Sequence, residues 1–559
     1  MYTRQSLILL ATFSAVLFFL HPQPPALPTK AHAHTLPYHT VKSPHKKAKA
    51  PKDWWRDKVF YQIFPRSFRD SDGDGIGDIK GILQKLDYLK TSKQGKGLGI
   101  TGLWLTPIFA SPSYHGYDVT NYRKLNPLYG NRKIFKALLD NAHKRGIRVV
   151  LDLMVNHTSK KHPWFVKSAK SRTSPYREWY VWRDTNPGWT QPWGKWPVWH
   201  RAGAQFYYGI FWSGMPDLNL AHPPTKNEMF SIASYWLQQG IDGYRLDAAR
   251  HLFANGPGEG QNDQPQTHTF WQAFHKNMKK TAPKSLMLGE VWAPTKALKT
   301  YCRKDEFDLL FHFPLAKAIQ MAVSAMEAKP IWKVIKASIP THCWATFLSN
   351  HDQVRWATRL MGQTKMLRMG AWLLMTLPGT PFIYYGEELG MTNGPQKGDP
   401  GKRTPMPWDA SAKGGFTTGT PWTQLAPHKQ ANVATQQKDP SSLQQLYRKL
   451  IHWRHRLIAL RRGTLKRITL AKDVKGRDAV VAFSRVYKKG THQQTVWMLL
   501  NLNDEATGTF KLTLPTTRRV KRLLKEGNTV YNVRSEPQKN RNTLTLRLGA
   551  QSGVLLQLF

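Results

Sequence analysis

The feature that most constrains this chain is an alternation of two kinds of segment. Short, largely apolar runs stand at Val59–Phe64, Thr101–Leu105, Ile147–Met154, Ile241–Asp247, Leu286–Val291, Phe307–Phe311, Ala345–Ser349 and Pro381–Tyr385. Between most of them lie stretches with helical spacing, Ile79–Lys90, Lys133–Arg145 and Asn227–Gln239 among them. A strand buried on both faces needs only a short apolar run, whereas a helix on a core repeats its apolar positions every three or four residues. Eight such strands alternating with helices over about 400 residues predict an α/β fold, the closed (β/α)8 or TIM barrel. A long interruption follows the third strand. From about Leu465 the pattern changes to short alternating runs, Ala479–Phe483, Thr495–Leu500, Thr543–Leu548 and Gly553–Phe559, which predict a separate all-β C-terminal domain over 463–559.

The N-terminus reads differently. Arg4 precedes an apolar run, Leu7–Leu20, and Ala31-His32-Ala33 forms an A-x-A site. This predicts a cleaved signal peptide over 1–33, and hence a secreted or periplasmic protein. The run is shorter than the ~18–20 residues of a membrane span. Residues 34–52, rich in Lys, His and Pro, read as a basic linker. Lys and Arg total 82 against 35 Asp and Glu, a net charge of +47. Such a balance points to nucleic acid or an anionic surface. No zinc-finger, helix-turn-helix or RNA-binding signature accompanies it, which argues against nucleic acid. Contact with an anionic cell envelope, or life in an acidic medium, fits the scarcity of acids. The two cysteines, Cys302 and Cys343, lack metal-ligand spacing, and whether they pair is a question of geometry. Nothing fixes the oligomeric state.

In such barrels, reactive groups sit at the C-terminal ends of the strands. The third strand ends in Asp152-Leu-Met-Val-Asn156-His157, the fourth in Arg245-Leu-Asp247, the fifth in Gly289-Glu290-Val-Trp292, and the seventh in Ser349-Asn350-His351-Asp352. Arg245 and Asp247 are two apart on a strand, so they point to the same side. The arginine holds the aspartate ionised and oriented. A glycosidase that works through a covalent intermediate asks this of its nucleophile. Asp247, Glu290 and Asp352 converge on one mouth. After the first strand, Asp70-Ser-Asp72-Gly-Asp74-Gly-Ile76-Gly-Asp78 places acids at alternate positions among glycines, a pattern that wraps a hard cation such as Ca2+. Gly81 stands where an EF-hand carries its last glutamate, so this is a different kind of loop.

Together these motifs resemble the α-amylase family of glycoside hydrolases, retaining enzymes built on a barrel. The resemblance is carried by Asp152–His157, Gly243–His251, Gly289–Trp292 and Phe347–Asp352, supported by Gly99–Pro107, Met215–Asn219 and Gly379–Glu388. It spans roughly residues 54–559. The Met-Pro-Asp-Leu-Asn form of Met215–Asn219 resembles the group intermediate between oligo-1,6-glucosidases and neopullulanases. The resemblance implies Asp247 as nucleophile, Glu290 as general acid/base, and Asp352 as the carboxylate that stabilises the transition state. It implies Arg245 as the residue fixing the nucleophile, and His157 and His351 as ligands of sugar hydroxyls. Tyr117 and Asp118 become a stacking platform with its buried acid, and Arg250 and His251 supports for acceptor-side sugars. It implies a structural calcium held by Asp70, Asp72, Asp74 and Asp78 with the Ile76 carbonyl. A second site using Asn156 and the His251 carbonyl stays open.

The interruption at 158–216, with eight tryptophans from Trp164 to Trp212, matches the family's domain B. The barrel then falls into parts 53–157 and 217–462. Asn121, and Asn131, Arg132 and Lys133, replace acids usual in relatives and change surface charge alone. Neighbouring Asp247 and Asp352 are expected to raise the Glu290 pKa. Ala248 after the nucleophile goes with α-1,4 preference. The expected activity is hydrolysis of α-1,4-glucans such as starch or maltodextrin. The alternatives are an oligo-1,6-glucosidase or α-glucosidase, or a transglycosylase such as a trehalose synthase. A non-catalytic sugar-binding relative would have lost one of the three carboxylates.

Overall fold

Eight parallel strands close a barrel in the computed structural model, which describes residues 51–91, 97–337, 339–514, 519–536 and 541–559. The N-terminal apolar run and nearly all of the basic linker lie outside the described residues. The strands are β1 (Phe60–Ile63), β2 (Gly102–Leu105), β3 (Arg148–Leu153), β4 (Gly243–Leu246), β5 (Leu286–Gly289), β6 (Leu309–Phe311), β7 (Trp344–Thr346) and β8 (Thr380–Tyr384). Each pairs with its neighbours in sequence, and β8 closes on β1. Helices cover the outside and side chains fill the inside, so both faces of nearly every strand are buried, and continuous apolar runs are what that geometry requires. Aromatic rings plug the interior: Phe60 stacks on Phe382 at 4.5 Å, and Phe311 packs on both Trp104 and Phe382 at 5.1 Å. Gly243 has φ +149°, and a Cβ there would stand 2.2 Å from the Leu286 carbonyl oxygen, so only glycine lets β4 lie this close to β5.

Two elements differ from the sequence expectation. The segment Ile79–Lys90 is two short helices, Ile79–Gln84 and Leu86–Leu89, broken at Lys85. The break turns Tyr88 inward, where its buried hydroxyl donates to Glu388. Strand β7 stops at Thr346 rather than Ser349. The residues Phe347–Asp352 therefore form a loop over the barrel mouth.

The insert after β3 holds the helix Pro163–Lys170 and a small antiparallel sheet of Trp182–Arg183, Gln205–Tyr208 and Trp199–Ala202. Val198, Trp199, Tyr208 and Ile210 form its private core. The C-terminal domain packs two antiparallel sheets. The larger contains β9 (Thr464–Arg467), β10 (Val480–Lys489), β11 (His492–Asn501), β13 (Val520–Glu526) and β16 (Ser552–Leu558); the smaller contains β12 (Phe510–Thr513), β14 (Val530–Glu536) and β15 (Arg541–Arg547). Period-two alternation sorts the larger sheet's side chains. Ala482, Trp497, Leu499 and Leu556 face Phe510, Leu512 and Leu544 of the smaller sheet. Phe483, Met498, Leu500 and Leu555 belong to the same core as Trp372 and Leu373 of the barrel helix Thr364–Thr376.

Two buried arginines reinforce that junction. Arg454, on the helix Leu443–Arg456, donates to the carbonyls of Met375 at 2.7 Å and of Gly379. Arg485, on β10, donates to the carbonyls of Thr376 at 2.8 Å and Gly463 at 2.9 Å. Together they cap the end of the helix Thr364–Thr376, where backbone carbonyls lack partners of their own. Cys302 and Cys343 form a disulfide, with Cα atoms 6.0 Å apart, joining the end of the helix Thr295–Tyr301 to the turn before β7. Among the described residues no helix is long and apolar enough to cross a membrane.

Candidate active site

The C-terminal ends of β3, β4 and β5 bring three carboxyls onto one guanidinium. Arg245 is 1% exposed. Its Nη1 donates to Asp152 Oδ1 and to Asp247 Oδ1, both at 2.7 Å, and its Nη2 lies 2.7 Å from Glu290 Oε2. One positive charge facing three acids cannot hold all of them ionised in a site this dry. Burial pushes Glu290 up to about 8, with Asp247 and Asp352 adding to the rise and Arg245 and the Ala248 amide opposing it. The expected direction holds, although burial and not like charge is the largest cause. Burial likewise takes Asp152 up to about 7 against the pull of Arg245. The Ala248 amide donates to Glu290 Oε2 at 3.2 Å, and Ala248 itself has φ +50°. A small side chain suits that left-handed backbone, which strains β-branched residues most.

A second layer ties Tyr117 and His351 to this centre. The Tyr117 hydroxyl donates to Asp152 Oδ2 at 2.9 Å and lies 2.6 Å from His351 Nε2, with the two rings stacked at 5.4 Å. His351 Nδ1 is 2.7 Å from the Gln62 amide of β1, and burial drives its pKa well below the usual range, so the ring is neutral. Asp118 is buried and accepts from Ser111 at 2.7 Å and from Ser113. His157 is buried edge-on against Phe211, kept neutral by desolvation, and makes no well-formed side-chain hydrogen bond with the described residues.

Asp352 stands on the far side, half-exposed, 3.1 Å from His351 Nε2. Arg403 holds it: Nη2 reaches Asp352 Oδ1 at 2.9 Å and Asp399 Oδ2 at 2.8 Å, while Nε donates to the His351 carbonyl at 3.0 Å. Sequence reasoning missed Arg403, Asp399, Gln62 and Trp104, whose indole N–H reaches Asp152 at 3.3 Å. Arg403 caps the one-turn helix Asp399–Lys402 after β8, which is too short for any periodicity to mark it.

Arg250 and His251 sit just beyond Asp247. Arg250 grips Asp263 through Nε at 3.1 Å and through Nη2, and His251 is half-buried, pushed down to about 4 by desolvation. In the acidic loop, carboxylate oxygens of Asp70, Asp72 and Asp78 lie within 4.8 Å of one another. Asp74 stands outside that triad, exposed, accepting from the Ile76 amide at 2.7 Å. Among the described residues no ion pair neutralises these acids. Asp72 is raised, first by desolvation, with Asp74 and Asp78 contributing as like charges. Clustered hard oxygens of this kind are the donor set that a calcium ion takes. Gly75, with φ +88°, lets the loop pass: a Cβ there would lie 1.8 Å from the Thr420 carbonyl oxygen.

A family model for the α-amylase catalytic domain matches residues 62–463. Alpha-amylase 3 of Dictyoglomus thermophilum is 35% identical over 514 residues, covering 90% of this chain and 94% of that protein. An oligo-1,6-glucosidase of Heyndrickxia coagulans is 34% identical over 481 residues, covering 72% of this chain and 85% of that one. The crystal structure of an α-amylase from H. orenii aligns with a TM-score of 0.76 at 34% identity, covering 89% of this chain and 99% of that one. With the closed barrel and its buried three-acid, one-arginine mouth, this chain belongs to the α-amylase family and is a glycoside hydrolase or transglycosylase of that family.

Proposed function

We propose that the chain is a secreted, retaining α-glucan hydrolase that cleaves α-1,4-glucosidic bonds of starch, maltodextrin or related oligosaccharides. The observation that carries this is the asymmetry between two carboxyls sharing Arg245. Asp247 takes a short bond from Nη1 at the end of β4, and Glu290, raised to about 8, keeps its proton at neutral pH. A retaining glycosidase needs two carboxyls about 5–5.5 Å apart, one of which holds a proton to give to the leaving oxygen. Asp247 attacks the anomeric carbon while the glycosidic oxygen leaves with the Glu290 proton. Water then donates a proton to Glu290, and its hydroxyl displaces Asp247, so the α-configuration is restored. Asp352, fixed by Arg403, faces the positive charge that develops on the sugar ring. Tyr117, His157 and His351 line the sugar site.

Ala248 after the proposed nucleophile and the similarity to alpha-amylase 3 support α-1,4 cleavage, and the similarity to oligo-1,6-glucosidases makes α-1,6 cleavage the alternative to test. Export is supported by the N-terminal apolar run with its A-x-A site and by the disulfide, a bond that persists in oxidising compartments. The Asp70–Asp78 loop would hold a structural calcium through Asp70, Asp72 and Asp78. When bound, that ion neutralises the loop and ties it together.

Product analysis tests the reading. Starch and maltotriose should be cleaved in preference to isomaltose, with the α-anomer seen first by NMR. Asp247→Asn should stay folded and lose nearly all turnover. A β-anomer at early times overturns the retaining mechanism. Conversion of maltose to trehalose instead of glucose would make the enzyme a transglycosylase.

A further inference from the structure

At the end of the barrel away from the proposed catalytic carboxyls, the first three strands begin among cations. Lys58 leads into β1, Lys90 caps the helix Leu86–Leu89, and Arg148 opens β3. The backbone draws them together. The Thr101 and Gly102 amides donate to the Val59 carbonyl at 3.0 and 3.1 Å, and the Arg148 amide donates to the Thr101 carbonyl at 3.1 Å. Parallel register then sets Phe60 beside Gly102, and Gly102 beside Arg148. Lys90 reaches in from the side, its Nζ 3.3 Å from where a Cβ on Gly146 would stand. His455 closes the edge, with Nε2 2.8 Å from the Gly99 carbonyl oxygen. All four side chains are half-buried.

The acids nearby are already engaged. Asp242 accepts from Arg148 Nη1 at 2.7 Å and from the Val149 amide at 2.9 Å, and pairs with His143. Asp57 is held by Arg461 and Arg462, and Asp87 by Arg145. Among the described residues neither the Lys58 nor the Lys90 ammonium has a hydrogen-bond or ion-pair partner, and of the Arg148 guanidinium only Nη1 is engaged. Burial pushes Lys58 down to about 8, with Arg148 and Lys90 adding to the fall and Asp57 and Asp242 opposing it; burial lowers Lys90 as well. Like charges gathered where water is scarce destabilise the fold that holds them, and a counter-ion removes that penalty.

We propose that Lys58, Lys90 and Arg148 form a site at the base of the barrel for a phosphate group, carried either by free phosphate or by a polymer. Two ammonium groups supply movable point charges, and the open edge of the guanidinium supplies planar donors, a combination suited to a doubly charged oxyanion. A neutral sugar has no use for it. The site is therefore independent of the α-glucan reading, and it gives part of the +47 net charge a local task.

Calorimetric titration of the full chain with inorganic phosphate near neutral pH, at ionic strength held constant with chloride, tests the site. Wild type should bind one equivalent. Lys58→Met and Lys90→Met should each weaken binding about tenfold or more, while Lys58→Arg and the distant, exposed Lys276→Met should leave it unchanged. Without phosphate, both lysine-to-methionine variants should unfold no earlier than wild type, because repulsion is relieved. No binding by wild type above the chloride background overturns the proposal, as does binding that survives in both methionine variants. A glycerol-phosphate polymer then separates the sources. Competition with phosphate on wild type makes a polymer the ligand, and failure to compete leaves free phosphate; either result upholds the site.

Discussion

At the scale of single residues, Arg245 decides the chemistry by being outnumbered. Asp152, Asp247 and Glu290 all reach its guanidinium, and the most strongly raised of them is left holding a proton. If Glu290 is the acid, as proposed, the acid function should be lost as pH rises through about 8. The expected result is a kcat/KM profile on maltotriose that falls on the alkaline side near that value. In Glu290→Gln the activity should drop by about 10²–10⁴-fold, and the residual rate should lack that limb. A limb that persists in the variant would assign it to another group. The positions of Asp247, Glu290 and Asp352 were legible in the sequence because strand ends in a barrel point to one mouth. The grip of Arg403 on Asp352 was not, because it is a contact across the top of the barrel made from the end of a one-turn helix.

Among the elements, those with repetitive physics were the readable ones. The barrel strands follow from apolar runs buried on both sides, and the C-terminal sheets from period-two alternation. The insert's sheet escaped detection because its strands are only two to four residues long, too short to show an alternation. The disulfide escaped because pairing depends on where the helix Thr295–Tyr301 ends relative to β7. The Asp70–Asp78 loop lies between, legible in its acids and glycines though not in which acids converge. A metal that binds only the folded state stabilises it by mass action, so removing calcium with a chelator should lower Tm by several degrees. Asp72→Ala together with Asp74→Ala should abolish that response, and a chelator response that survives the double substitution would place the ion elsewhere.

For the whole molecule, two populations of buried titratable groups set the pH dependence of stability. Asp152 at about 7 and Glu290 and Glu387 at about 8 keep protons in the fold that the unfolded chain releases near pH 4–4.5, and burial shifts Asp217, Asp308 and Glu388 in the same direction. What they contribute is present at low pH and lost as pH rises through the folded values. His162 at about 3 and His251, His312 and His455 at about 4 do the opposite. Unfolding lets them protonate below about 6.5, so stability falls as pH drops from there towards their folded values. Between about 4.5 and 6.5 the two sets oppose each other, and from there to about 8 the carboxyls act without the histidines. Thermal unfolding followed by circular dichroism should show Tm highest in the weakly acidic range and declining from pH 6.5 to 8.5; a Tm that climbs over that interval would refute this balance.

The junction of barrel and β-domain bears on how such a protein can be rearranged. Arg485 is anchored in the β-domain, and Arg454 in the helix beneath it, yet both spend their hydrogen bonds on the same helix end in the barrel. Neither has an ion-pair partner among the described residues; burial weakens the hold of both on their protons, and the like charge of Arg454 weakens that of Arg485 further. Stripping away the β-domain would bare Arg454 and the Thr376 carbonyl together with the apolar face around Trp372. The β-domain is consequently not a module to be traded freely among relatives. A graft succeeds only where the incoming sheet brings a donor for Thr376, and a protease that nicks the connection between the halves should leave them associated.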